Sequence, residues 1–144
     1  MQIKDVMSTD FQWVPPETTL AEAAKLMKDK SIGFIPIGKD DRLIGTLTDR
    51  DIVIRGLADS LDLSTASVKN IMTKKLLYCY EDQELDEICM NMAENKIRRL
   101  PVVNKEKRLV GIVSLGDLSH GLAQESGQAL KCITEGEEPL SKAA

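Results

Sequence analysis

Two short segments carry the residue types from which chemistry could be built, Gly45-Thr46-Leu47-Thr48-Asp49-Arg50-Asp51 and Gly111-Ile112-Val113-Ser114-Leu115-Gly116-Asp117. In each, a run of strand-forming residues reaches a hydroxyl, Thr48 or Ser114, and an aspartate follows three positions later, Asp51 or Asp117. A hydroxyl that opens a helix stands beside backbone N–H groups lacking intrahelical partners, so hydroxyl and amides together can hold a phosphate oxygen. A carboxylate one turn further on accepts hydrogen bonds at two oxygens, which suits a pair of vicinal ribose hydroxyls and repels a phosphate. The spacing can therefore orient a nucleotide, sugar at the aspartate and phosphate at the hydroxyl. The same S/T-x-x-D pattern is also an ordinary helix cap worth about 0.5–2 kcal/mol, and spacing alone does not separate the two readings. Arg50, Arg98 and Arg99 stand close to these corners in sequence and are candidates for a fork-shaped anion clamp, the alternative being a charged edge that faces water.

Other chemistries find no footing. The chain has one histidine, His120, and three cysteines, Cys79, Cys89 and Cys132, without C-x-x-C spacing, so no metal site is expected. No G-x-x-x-x-G-K-S/T, G-x-G-x-x-G or H-E-x-x-H motif occurs, His120 has no evident triad partner, and no catalytic role or required cofactor is expected. Lys plus Arg is 19 against 23 Asp plus Glu, a formal charge of -4, which argues against a nucleic-acid or anionic-membrane partner. Only 3% of the residues are aromatic, so Trp13, Tyr78 and Tyr80 read as packing residues and not as a stacking platform. The first residues lack the basic flank and apolar run of a signal peptide, no stretch is long enough to span a bilayer, and a cytoplasmic location is expected.

The elements that must position the two corners come in duplicate. Val6-Met7-Ser8 returns as Ile71-Met72-Thr73, and Leu20, Glu22, Met27, Ile32 and Pro36 return as Leu85, Glu87, Met92, Ile97 and Pro101, at an offset of 65. After one extra residue among Asn104 to Lys107, Leu43 to Thr48 and Asp51 match Leu109 to Ser114 and Asp117 at an offset of 66. Leu20, Ala23, Ala24 and Met27 form the i, i+3, i+4, i+7 stripe of an amphipathic helix, capped by Thr19 and Glu22, and Leu85, Ile88, Cys89 and Met92 repeat it, so Cys89 reads as buried. Ile32 to Ile37 with Leu43 to Leu47, and Leu100 to Val103 with Leu109 to Val113, read as strand pairs joined by polar turns. Pro36 and Pro101 are expected at a strand end or sheet edge. Each copy then reads strand, helix, strand, strand, helix. A unit under about 60 residues is marginal by itself, so the copies are expected to pack together about a pseudo-twofold axis. The division is 1–58 for the first repeat, 59–68 for a connection, 69–121 for the second repeat and 122–144 for a C-terminal tail.

This duplicated pattern resembles a tandem pair of CBS domains, with the match covering about Val6 to Gly121 and carried by the two Met segments, the two helices, the Ile35-Pro36 and Leu100-Pro101 strands and the paired Gly-x-x-Thr/Ser-x-x-Asp corners. The resemblance implies an α+β fold of two β-α-β-β-α units and a homodimer. It also implies an adenosine-containing ligand such as AMP, ADP, ATP or S-adenosylmethionine, held between the repeats to regulate a partner protein. By that resemblance Asp51 and Asp117 take ribose and Thr48 and Ser114 take phosphate. Val14, Pro15, Pro16, Ile35 and Pro36, with Cys79, Tyr80, Leu100 and Pro101 in the second copy, line the base pockets. Tyr80 stands where the first copy has Pro15, and its bulk is expected to fill the second pocket. Asp49 adds a negative charge for Arg50 to offset. The chain is similar to small stand-alone bacterial CBS-pair proteins, some named for stress or hypoxic responses. A ligandless structural or interaction module is the alternative, because not every member binds a ligand.

Overall fold

The computed structural model describes residues 1–120 and 123–134. The stripe of Leu20, Ala23 and Met27 becomes the buried face of α1 (Leu20–Lys30). Its start is closed by the expected reciprocal cap: Thr19 Oγ1 accepts from the Glu22 amide and Glu22 Oε2 from the Thr19 amide, each at 3.2 Å. β1 (Phe34–Lys39) and β2 (Arg42–Thr48) follow as an antiparallel hairpin. The chain then turns into α2, one α-helical turn (Asp49–Asp51) that widens into a π-helical segment (Ile52–Leu57). The second copy repeats the plan. β3 (Cys79–Tyr80) runs parallel to β4 (Arg99–Val103), which pairs antiparallel with β5 (Leu109–Ser114), and α3 (Leu85–Asn95) and α4 (Leu115–Ser119) complete the unit. In the first copy the strand equivalent to β3 shrinks to a single parallel bridge between Val14 and Ile37. The fold is therefore α+β, two β-α-β-β-α units, as expected. The one-residue slip between copies falls in the hairpin turns: Asp40 and Asp41, both at positive φ, join β1 to β2, whereas Asn104 to Arg108 join β4 to β5.

Each unit completes its core with a segment from the other end of the repeat pair. Ile3, in a 3₁₀ turn (Ile3–Asp5), packs with Leu85, Ile88, Met92, Leu100 and Leu118 of the second repeat. Val68 and Ile71, at a second 3₁₀ turn (Val68–Asn70), pack with Leu20, Ile35, Leu47 and Ile52 of the first. Past these turns the chain lies along the partner repeat's hairpin. Ser8 and Ile112 exchange both backbone hydrogen bonds, at 2.9 and 3.0 Å, and Thr46 and Thr73 do the same at 3.1 and 2.9 Å. The hairpin turns also meet, with the Leu109 amide donating to the Asp41 carbonyl at 2.8 Å and Arg108 reaching the Asp41 carboxylate at 3.4 Å.

Two expectations are corrected. Pro36 lies in β1, an edge strand of the two-stranded sheet β1-β2 as expected, but Pro101 lies inside β4, the middle strand of the three-stranded sheet β3-β4-β5. Their partners across the hairpins are Thr46 and Ile112, whose N–H and C=O groups are both engaged with Thr73 and Ser8 on the other side. Each proline thus occupies a non-hydrogen-bonded pair, where its missing N–H costs no bond to the neighbouring hairpin strand. The segment 122–144 is not a tail throughout: Ala123–Ile133 form α5, which rests on α3 and α4 with Ala129 buried in the second core and Ile133 against it. Having no counterpart in the first copy, α5 was invisible to the repeat. The acidic stretch from Glu135 to Pro139 lies outside the described residues.

Cys79 and Cys89 sit inside the second core, and burial pushes the Cys79 thiol up to about 12. At pH 8 only about one Cys79 in ten thousand is then the reactive thiolate. Native protein treated with an aromatic disulfide reagent at pH 8 is expected to leave both residues unlabelled, and both should react once urea is added. Peptide mapping reads the outcome, and rapid native labelling of Cys79 would contradict its position.

Candidate functional site

Both hydroxyl–carboxylate corners form, and they form as capping boxes. Thr48 Oγ1 accepts from the Asp51 amide at 3.1 Å while Asp51 Oδ2 accepts from the Thr48 amide at 2.9 Å. Ser114 Oγ accepts from the Asp117 amide at 3.1 Å while Asp117 Oδ2 accepts from the Ser114 amide at 2.8 Å. Each aspartate therefore spends one oxygen on its own backbone and has one left. The remaining oxygens differ. Asp51 Oδ1 is approached by Arg55 Nε at 3.9 Å, whereas Asp117 Oδ1 has no protein partner among the described residues. The position equivalent to Arg55 is Gly121, which has no side chain to offer.

Two clefts open between the repeats, one at each corner. The larger, about 390 Å³, is bounded by Ile112, Ser114 and Asp117 of the second repeat, Ile32, Gly33 and Phe34 of the first, and Ser8 and Asp10 of the crossing segment, with Lys30 and Arg99 at its rim. The smaller, about 210 Å³, is bounded by Thr46, Thr48 and Asp51 of the first repeat, Ile97, Arg99, Leu100 and Pro101 of the second, and Thr73 and Lys75 of the other crossing segment. These walls correspond by the internal offset: Ser8 to Thr73, Asp10 to Lys75, Ile32 to Ile97, Ile112 to Thr46. Phe34 and Arg99 line both clefts. They are themselves equivalent positions, opposite Thr48 and Ser114 in their hairpins, so the pseudo-twofold axis passes between an aromatic ring and a guanidinium. Next to the larger cleft, and sharing Arg99 and Ser114 with it, a groove of about 580 Å³ runs between the start of α4 and α5, past Arg98, Leu115 and Leu130.

The other expected site residues scatter. Of the three arginines only Arg99 reaches the clefts; Arg98 lines the adjoining groove, and Arg50 is exposed and borders neither cleft. Asp49 also stays out: its Oδ1 accepts from the Arg50 amide at 2.9 Å, and its carboxylate lies over Gly33. Leu100 and Pro101 border the smaller cleft, but Val14, Pro16, Ile35 and Pro36 are buried in or beside the first core and Pro15 is exposed. Successive strand residues face opposite sides, so with Ile35 turned inward it is Phe34 that meets the cleft. Tyr80 fills neither cleft. It packs edge-to-face on Tyr78, centroids 5.7 Å apart, among Leu43, Val103, Leu109 and Trp13. Ser8, Asp10, Phe34, Thr73 and Lys75 were not among the site residues expected from the sequence. The available signal was positional: Ser8 and Thr73 directly follow the repeated methionines Met7 and Met72.

The chain is 40% identical over 140 residues to the "Uncharacterized protein YlbB" of Bacillus subtilis, an alignment covering 94% of this chain and 93% of the relative. It is similar to the crystal structure of Hypoxic Response Protein I with two coordinated zinc ions, at 40% identity and a TM-score of 0.76, covering 83% of this chain and 98% of that one. It is also similar to the CBS domain pair of protein MJ0100 in complex with 5-methylthioadenosine and S-adenosyl-L-methionine, at 28% identity and a TM-score of 0.74, covering 85% and 96%.

The described residues show where the side chains of His120, Cys79 and Cys89 lie. Cys79 and Cys89 are enclosed in the second core, His120 is exposed at the end of α4, and among the described residues no three His, Cys, Asp or Glu are grouped to hold a metal. Nor is any helix of the described residues long and apolar enough to cross a membrane. The CBS domain model matches residues 3–57 and again residues 68–124, the two units whose hairpins and crossing segments enclose the clefts, and the chain belongs to the CBS domain family as a tandem CBS pair.

Proposed function

We propose that this chain is a regulatory CBS pair that binds one adenosine-containing ligand in the larger cleft, with the Asp117 carboxylate on the ribose and Ser114 and Arg99 on the phosphate or its equivalent. The observation that carries this reading is Asp117 Oδ1, a carboxylate oxygen without a protein partner among the described residues, at the edge of a cleft of about 390 Å³. Ribose hydroxyls donate, and a carboxylate with one oxygen held by its own backbone is fixed in place to accept from them. The cleft volume lies within the ~300–1,000 Å³ typical of small-molecule sites, whereas the smaller cleft falls below it. The complex of MJ0100 with 5-methylthioadenosine and S-adenosyl-L-methionine supports the ligand class. Binding would act on a partner or on a homodimer by favouring one arrangement of the two repeats, through whatever difference in affinity the ligand has for the two. A cytoplasmic location is proposed with it.

The test is thermal unfolding with AMP, ATP and S-adenosylmethionine. A ligand present at 100 times its Kd adds about 2.7 kcal/mol of stability. Asp117→Asn keeps an acceptor for the Ser114 amide but puts an NH₂ donor in place of the second oxygen, so it should abolish the ligand shift while the ligand-free protein melts nearly unchanged. Asp51→Asn should leave the ligand shift intact. A chain that no adenosine compound stabilises would refute the reading. That result would favour a ligandless interaction module, for which the exposed row Val53, Ile54 and Leu57 on α2 provides an apolar surface for a second copy of the chain.

A further inference from the structure

At the far end of the hairpins from both corners the two turns meet, and there the repeats are unequal. Arg42 and Arg108, equivalent positions, form a bridge between the hairpins. Arg108 is answered within the chain: it pairs with the Asp41 carboxylate at 3.4 Å and donates to the Asp40 carbonyl at 3.1 Å. By the internal offset the counterparts of Arg108 and Asp41 are Arg42 and Lys107, two cations, and neither side chain makes a hydrogen bond or ion pair among the described residues. One side carries its own carboxylate and the other lacks it.

Beside the unanswered pair lies a hollow of about 190 Å³, lined by Leu43, Leu76, Tyr78 and Val103 together with Arg42 and Lys107. At the equivalent place Trp13, the counterpart of Tyr78, lies against Gly38, the counterpart of Val103, so tightly that a Cβ there would stand 2.9 Å from Trp13 Cε3. Phe11 is the counterpart of Leu76, which is 44% exposed. An apolar hollow with two cations beside it suits a ligand that has an apolar body and an acid group. Guanidinium and ammonium donate and a carboxylate only accepts, the match that Arg108 and Asp41 already make. The volume corresponds to about six waters at ~30 Å³ each, room for one ring with its carboxylate and too little for a nucleotide.

We propose that this hollow binds a small carboxylic acid with an apolar body, about the size of benzoate, whose carboxylate stands to Arg42 as Asp41 stands to Arg108. Such a ligand ties β2 of the first repeat to the β4–β5 turn of the second. Arg42 and Thr48 are the two ends of β2, about 20 Å apart, so the site is remote from the corners and does not rest on the adenosine-ligand reading.

The experiment is titration calorimetry of the full chain with benzoate, with acetate and inorganic phosphate as controls at matched ionic strength. One benzoate per chain is expected, and acetate and phosphate should bind about tenfold more weakly or less, since neither fills the apolar hollow. Arg42→Gln should weaken benzoate about ten- to a hundredfold, the value of a charge-assisted hydrogen bond. Lys107→Asp is the sharper test. Asp41 holds φ at 66° and Lys107 at 61°, so an aspartate suits that backbone and would answer Arg42 from within the chain. This variant should melt no lower than the wild type and lose benzoate. Asp117→Asn should bind benzoate unchanged, and loss of binding there would move the ligand to the larger cleft and overturn the site. No saturable benzoate binding up to about 10 mM, binding that survives Lys107→Asp, or binding equalled by acetate or phosphate also overturns it. A chain that binds benzoate but no adenosine compound refutes the proposed function and supports this site.

Discussion

Ile3→Ala is expected to lower the unfolding free energy by about 2–5 kcal/mol, the cost of truncating a large aliphatic residue at the centre of a core. The position is third in the sequence, where substitutions are ordinarily tolerated, yet its side chain is 0% exposed. It fills the second repeat's core against Leu85, Ile88, Met92, Leu100 and Leu118. The backbone around it is fastened too: the Ile3 amide donates to the Gln83 carbonyl at 2.9 Å and the Lys4 amide to the Glu81 carbonyl at 2.8 Å. Because the segment cannot withdraw freely, the cavity left by truncation will not collapse well, which favours the upper part of the range. Urea unfolding measures it. A loss under about 1 kcal/mol would show that the segment does not complete the second core.

Gly111→Val tests the crossing itself. A Cβ at Gly111 would lie 2.8 Å from Met7 Sδ and 2.8 Å from the Ser8 carbonyl oxygen. The methionine can swing aside, but the carbonyl belongs to the two hydrogen bonds that tie Ser8 to Ile112. Overpacking of this kind costs about 1–3 kcal/mol, and a branched side chain against backbone belongs at the high end. Gly45, the equivalent position, would meet Met72 Sδ at 2.6 Å but the Thr73 carbonyl oxygen at 3.0 Å, so Gly45→Val should cost less. The two substitutions also separate the clefts. Displacing Ser8 disturbs the wall of the larger cleft, so Gly111→Val should weaken the adenosine ligand as well as the fold, and Gly45→Val, at the other crossing, should leave it bound. Equal losses of stability, or unchanged ligand affinity in Gly111→Val at temperatures where it remains folded, would contradict the assignment.

The two corners show how a capping pattern is realised without using up the chemistry of its carboxylate. As caps they are realised twice, each aspartate accepting from the amide of the hydroxyl residue. Capping does not exhaust a carboxylate, however, and the difference between the copies lies in the second oxygen, which depends on whether an arginine stands one turn further on. That is legible from Arg55 and Gly121 only after the helical geometry is known. Tyr80 teaches the opposite lesson. Its bulk was visible in the sequence, but its direction was not, and it turns to Tyr78 and away from both clefts.

The sequence by itself determined the duplication, the helix stripes and caps, the hairpins and the twin hydroxyl–aspartate corners, because each depends on contacts between residues a few positions apart and leaves a period or a motif behind. Tertiary structure alone decided that Ile3 and Val68 serve the opposite repeat, that α5 closes the second core, and that Phe34 and Arg99 face each other across the axis between unequal clefts. Those outcomes join residues from distant parts of the chain. They follow from which surfaces remain to be buried once the local elements exist, and no short-range pattern records that.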